Sequence, residues 1–246
     1  MKAMVLAAGL GTRLRPLTDD RPKALVEIDG HTLLEIALRR LRSFGVTEAI
    51  VNTHHFAEIV KEFLRGHDFG MRVEISHEET LLDTGGGLKQ AAWFFLEGDA
   101  QKPFLLHNVD VLSTIDLDAM VCFHREQNAL ATLAVQDRVT SRPLLFDERG
   151  ELCGRKVGDV EPEMAKHANE VKTWAFAGIH VLSPAIFGKL SEEGAFPIIP
   201  AYLRMAAQGE KVVAFNADQW YWRDLGRPEN VAAAETDLRN DTYLKS

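Results

Sequence analysis

Apolar and polar positions alternate along this chain in short, regular blocks. Lys2 to Ala7 is an apolar run of strand length, and Glu48 to Asn52, Met71 to Ser76 and Pro103 to His107 also read as strands. Thr32 to Phe44 repeats its apolar positions at helical spacing, with Leu34, Ala37, Leu38 and Leu41 on one face. Thr32 followed three residues later by Glu35 reads as a capping box, and Gly45 as the stop. Ala57 to Leu64, a stretch after Gly87, and Leu117 to about Glu126 complete the helices of this half. Trp93, Phe94 and Phe95 read as helix core. Strands that alternate with helices predict an α/β fold, a Rossmann-like, mostly parallel mixed sheet flanked by helices.

The pattern then changes. Ala131 to Val135 and Leu144 to Phe146 read as strands, with a turn at Asp147 to Gly150. Residues 154–172 are charged and irregular and predict a loop that closes over a ligand. Phe176 to Leu182 reads as a buried strand. Helices at Pro184–Leu190 and Pro197–Gln208, a final strand and a helix opening at Pro228 follow. The whole is expected to form one domain over 1–246, with a core in 1–135 and a second part in 136–246.

Composition narrows the chemistry. With 46% hydrophobic and 26% charged residues the 246-residue chain has ordinary globular make-up. The net charge of −8 and the lack of a basic stripe argue against nucleic acid as a partner. No apolar run is long enough for a membrane span, and Cys122 and Cys153 lack metal or redox spacing, so the cytoplasm is expected. His54 and His55 are adjacent, point apart in a strand end, and suggest no zinc site.

Leu6-Ala7-Ala8-Gly9-Leu10-Gly11-Thr12-Arg13-Leu14-Arg15-Pro16, closing at Pro22-Lys23, is the most informative segment. Small residues after a strand let backbone N–H groups approach an anion, and Arg13 and Lys23 add fixed cations suited to phosphate. It is not the dinucleotide fingerprint, because Leu14 replaces a third glycine and Asn52 stands where an acid would end the second strand. Nor is it a P-loop, which needs Gly-Lys-Ser/Thr. A second cluster, Asp83-Thr84-Gly85-Gly86-Gly87, is read as a close-approach turn ahead of a helix. Asp110 ends the apolar strand of Pro103-Phe104-Leu105-Leu106-His107-Asn108, and Asp224 lies in Trp220-Tyr221-Trp222-Arg223-Asp224-Leu225-Gly226. Asp116 and Asp118 read as the start of the next helix.

Leu6 to Lys23 resembles the signature of the sugar nucleotidyltransferases, which join a nucleoside triphosphate to a sugar 1-phosphate. The likeness runs from Lys2 to about Leu238 and is to short bacterial members of the N-acetylmuramate-1-phosphate uridylyltransferase and mannose-1-phosphate guanylyltransferase types. It implies that Ala7, Ala8, Gly9, Gly11, Thr12, Arg13 and Lys23 bind the nucleotide, Arg13 and Lys23 acting in catalysis. Thr84, Gly85 and Gly86 would lie against base and ribose, and Asp110 and Asp224 would hold Mg²⁺. Asn108, Gly178, Lys156, Asn169 and Glu170 would meet the sugar phosphate, making 1–135 the nucleotide-binding core and 136–246 the sugar-phosphate part. UTP is the expected triphosphate from the form of Asp83–Gly87, with guanylyl transfer the alternative. A nucleotide-sugar-binding regulatory protein and a cytidylyltransferase for a non-sugar phosphate stay open as other classes. Relatives carry Asn-Gly-Asp where this chain has Asn108-Val109-Asp110, and Val109 is expected to point into the core. Arg142 reads as a solvated surface cation.

Overall fold

The computed structural model describes residues 1–98 and 101–239. The opening apolar run forms β1 (Lys2–Leu6), followed by a small hairpin, β2 (Glu27–Ile28) and β3 (His31–Thr32). Helix α1 (Leu33–Ser43) starts where the capping signal places it, with Thr32 Oγ1 accepting the Glu35 N–H at 3.1 Å. The Glu35 carboxylate turns instead to Arg39, at 2.7 Å. Next come β4 (Glu48–Thr53), α2 (Ala57–Arg65), β5 (Arg72–His77), α3 (Asp83–Gln90), α4 (Ala92–Leu96), β6 (Phe104–Asn108), β7 (Val111–Ser113) and α5 (Leu117–Glu126). The remainder supplies β8 (Ala131–Gln136), β9 (Leu144–Phe146), β10 (Leu152–Arg155), β11 (Glu163–Met164), β12 (Lys172–Leu182), α6 (Ile198–Ala207), β13 (Val212–Asn216), β14 (Trp222–Asp224) and α7 (Pro228–Arg239).

Strands β6, β1, β4 and β5 lie side by side and parallel. Their residues alternate between two buried layers. Ala3, Val5 and Leu105 pack with Leu38 of α1 and Met120 of α5, while Met4 and Leu106 pack with Phe94 of α4 and Tyr202 of α6. Burial on both faces is why β1, β4 and β6 read as apolar runs, whereas β5 at the sheet edge is largely half-exposed and alternates polar with apolar residues. Strand β12 joins β6 antiparallel and extends past it, pairing with β9 through Lys172–Trp174 and with β8 through Ala175–Leu182. The sheet is therefore a mostly parallel mixed sheet that runs on through both expected parts, β13 closing on β8 in parallel. Among the described residues no helix is long and apolar enough to cross a membrane.

Four local expectations need correction. The glycine triplet lies inside α3 rather than ahead of it, since the helix already opens at Asp83. The irregular 154–172 segment contains an antiparallel pair, Gly154 opposite Met164, which continues the sheet edge. Pro184–Gly188 makes a 3₁₀ turn rather than an α-helix. Phe94 and Phe95 are buried, but Trp93 is 50% exposed because the short α4 presents it outward.

Candidate active site

The chain runs from β1 to β4 and β5, then returns to place β6 on the other side of β1. Such a reversal leaves a crevice at the carboxyl ends of the two strands, the place where open α/β sheets bind ligands. The Gly- and Arg-rich loop leaves β1 here, and Asn108 to Asp110 leaves β6. At the root of the loop the Ala7 N–H donates to Asn52 Oδ1 at 2.7 Å. Asn52 Nδ2 donates to Glu78 Oε1 at 2.7 Å, and Glu78 Oε2 accepts the Leu82 N–H at 2.9 Å. One buried network thus ties the ends of β1, β4 and β5 to the segment that opens α3. Ala7 spends its donor inside this network. The next four N–H groups, Ala8 to Gly11, have no partner among the described residues and form a run of free donors at the crevice mouth.

Gly11 turns the loop with φ 65, and an added Cβ there would stand 3.0 Å from Thr18 and 3.1 Å from Lys23. The tight turn sets Lys23 over the crevice, where its Nζ donates to Asp110 Oδ2. Both side chains are nearly closed off, at 13% and 14% exposure. Strand β14 pairs with β7 so that Asp224 is opposite Val111, and the Leu225 N–H donates to the Asp110 carbonyl at 2.8 Å. Two aspartates 114 positions apart in sequence are therefore neighbours by strand pairing. Asp224 is held further by the Gly226 N–H on its Oδ1 (2.6 Å) and by Asn230 on its carbonyl (2.8 Å). Arg13 reaches the same corner. A Cβ on Gly226 would be 2.7 Å from Asp224 Oδ1 and 3.0 Å from Arg13 Nη2. Two carboxylates beside a loop of free N–H donors suit Mg²⁺, which takes one or two carboxylates and completes its shell with phosphate and water oxygens. No third His, Cys, Asp or Glu joins them among the described residues.

The far wall is built by β12. Gly178 has φ 76, and a Cβ there would meet Val111 at 2.8 Å and Asn108 Nδ2 at 2.9 Å. The Trp222 indole N–H donates to the Ala177 carbonyl at 2.7 Å. The Arg138 guanidinium carbon lies over the Trp222 ring, 3.8 Å from its centroid, and Arg138 Nη2 donates to the Phe176 carbonyl at 2.6 Å. Burial lowers the Arg138 pKa and the charge of Asp224 partly offsets this. Behind Asn108, His107 Nδ1 is 2.7 Å from the Asn108 carbonyl. Burial, with Arg40 adding to it, pushes the His107 pKa down to about 4, so the ring is neutral and donates. Val109 is 3% exposed within the core and its N–H bonds the Leu6 carbonyl, which fixes β1 against β6 at the crevice.

Not every residue expected in the site is gathered here. The Gly85 and Gly86 N–H groups both donate to the Phe196 carbonyl, and Thr84 Oγ1 accepts the Ile198 N–H. Their first role is to dock α3 on residues 194–198. Lys156, Asn169 and Glu170 make no hydrogen bond or ion pair with the cluster among the described residues, and Asn169 and Glu170 are exposed. Arg142 is exposed as well. Asn52, Glu78 and Arg138 were missed. Polar residues at the carboxyl ends of neighbouring strands, Asn52 in β4 and Glu78 just after β5, were the available signal for the first two.

Comparison with known proteins shows the family and the fold. Residues 2–241 match the family described as nucleotidyl transferase. The chain is 35% identical over 246 residues to N-acetylmuramate alpha-1-phosphate uridylyltransferase of Caulobacter vibrioides, covering 96% of each chain. It is 30% identical to mannose-1-phosphate guanylyltransferase 1 of Arabidopsis thaliana, over all of this chain and 65% of that one. In fold it matches HddC from Yersinia pseudotuberculosis with a TM-score of 0.75 at 22% identity, covering 96% of this chain and 99% of that one.

Proposed function

Because this chain belongs to the nucleotidyl transferase family, as one of its sugar-1-phosphate nucleotidyltransferases, we propose that it moves uridylyl from UTP to a sugar 1-phosphate of the N-acetylmuramate class. The observation that carries the reading is the meeting of Lys23 with Asp110 at the mouth of a loop with free N–H donors, Asp224 standing on the paired strand.

In this reading the N–H groups of Ala8, Gly9, Gly11 and Thr12 hold the triphosphate oxygens. A phosphate oxygen of the sugar 1-phosphate attacks the α-phosphorus, the bond to the bridging oxygen of the β-phosphate breaks, and pyrophosphate leaves. An ionised phosphate needs no general base, so the protein contributes placement and charge balance. Arg13 and Lys23 offset charge that grows on the transferred and leaving oxygens. Mg²⁺, held by Asp110 and Asp224, would supply further charge neutralisation. Asn108 and Gly178 present a polar and a bare backbone surface to the sugar.

Guanylyl transfer is the second reading, favoured by the mannose-1-phosphate guanylyltransferase likeness. Pyrophosphate release from four nucleoside triphosphates, each against a panel of sugar 1-phosphates, decides between them. UTP with N-acetylmuramate 1-phosphate is expected to be the fastest pair, and excess chelator to stop the reaction. A clear preference for GTP would replace the uridylyl reading, and no release from any pair would remove the transferase reading.

A further inference from the structure

Arg138 is a half-buried cation without a carboxylate. Among the described residues no acid lies within ion-pair distance of it, and its Nε is buried with no partner. A guanidinium taken partly out of water needs a compensating anion or a full set of acceptors. Here one carbonyl, that of Phe176, and the face of Trp222 are what the protein provides. Asp224 influences it only through its field.

The position is specific. Between Phe176, opposite Val135, and His180, opposite Leu133, β12 carries more residues than β8 and bulges. Gly178 sits in that bulge against Asn108, and the two carbonyls before it accept from Arg138 and Trp222. The guanidinium is thus clamped by a stack and a hydrogen bond at the wall assigned above to the sugar, the stacking ring of Trp222 belonging to the strand that also carries Asp224. A rigid planar fork with unused donors is the group suited to phosphate.

We propose that Arg138 binds the phosphate of the sugar 1-phosphate, and so is a further substrate-binding residue of the transfer reaction. The inference rests on the function proposed above. Trp222 and the Phe176 carbonyl orient the fork, and the incoming phosphate supplies the anion that the protein omits. Holding that phosphate beside Asp224 places its attacking oxygen at the carboxylate corner while Arg13 and Lys23 remain with the triphosphate.

The test compares wild type, Arg138→Ala and Arg138→Lys, using UTP, Mg²⁺ and the sugar 1-phosphate that wild type turns over fastest. In Arg138→Ala the KM for the sugar 1-phosphate is expected to rise about ten- to a hundredfold. The KM for UTP should stay within about twofold. Arg138→Lys should be intermediate, and added guanidinium ion should restore part of the Arg138→Ala rate. Should Arg138→Ala not fold, Arg138→Met keeps the stem against Trp222 and carries the same comparison. A fall in kcat or melting temperature with both KM values unchanged would overturn the binding role and leave Arg138 a bracing residue. An inactive wild type would overturn the underlying function instead, so the two failures are distinct.

Discussion

Lys23 and Asp110 neutralise each other across 87 residues of sequence, and the contact exists because a left-handed Gly11 turns the loop back over the end of β6. Lys23→Ala is expected to lower kcat by about 10²-fold, the scale of losing one preorganised charge donor. Pyrophosphate release measures this, and an unchanged far-UV spectrum would show that the loop carries little of the fold. Val109 separates chemistry from packing at the neighbouring position. Its side chain is 3% exposed in the core, so Val109→Gly should cost about 2 kcal/mol or more of stability in urea unfolding. Both KM values should hold, because the Asn108 carbonyl is still met by His107. A new acceptor preference in that variant would mean that valine narrows the site.

Helix α3 inverts an ordinary rule for its class of element. Replacing a mid-helix glycine by alanine normally stabilises by about 1 kcal/mol. In α3 a Cβ on Gly86 would come within 2.4 Å of the Gly194 carbonyl oxygen, which is backbone and has nowhere to go. Gly86→Ala is therefore expected to destabilise by about 1–3 kcal/mol, read as a lower urea midpoint. A rise in the midpoint would show that the 194–196 segment can move aside. The contrast explains what could be read before folding. Strands β1, β4 and β6 and helix α1 are specified by local periodicity, and the loop after β1 by its own composition, so both were legible. Gly85 and Gly86 of α3 answer to Phe196 and Gly194, more than a hundred positions away, and no local pattern carries that information. Arg138 is likewise a surface-looking cation in sequence, and only the β12 bulge and Trp222 give it a place. The charged 154–172 stretch hid a strand pair because Gly154 and Met164 lack the alternation that marks one.

At the scale of the molecule, three buried histidines make the fold sensitive to acid. Burial pushes His107 and His124 down to about 4 and His180 to about 3, from an ordinary 6.5. The folded form keeps them neutral while the unfolded chain takes up protons near pH 6.5, so their contribution to stability is full above that pH. It is lost as pH falls from about 6.5 toward 4, each proton contributing about 1.4 kcal/mol per pH unit. Urea midpoints measured from pH 7.5 to 4.5 should fall steeply over that window, and His180→Gln should flatten the slope. An unchanged slope would place the acid sensitivity elsewhere. The continuity of the sheet has a mechanical consequence. Strand β12 is bonded to β6 and also to β8 and β9, so the halves of the molecule are planks of one board rather than jaws on a pin. Swinging them apart would tear a buried ladder, at about 1–3 kcal/mol for each bond left unmade. The compliance needed to admit two bulky anions must then reside in what overhangs the board's edge, the loop from Ala8 to Pro22 and the turn from Val139 to Pro143, beyond the clamped Arg138. Amide exchange should register this as two stiff halves of equal protection, with fast-exchanging fringes along a single rim.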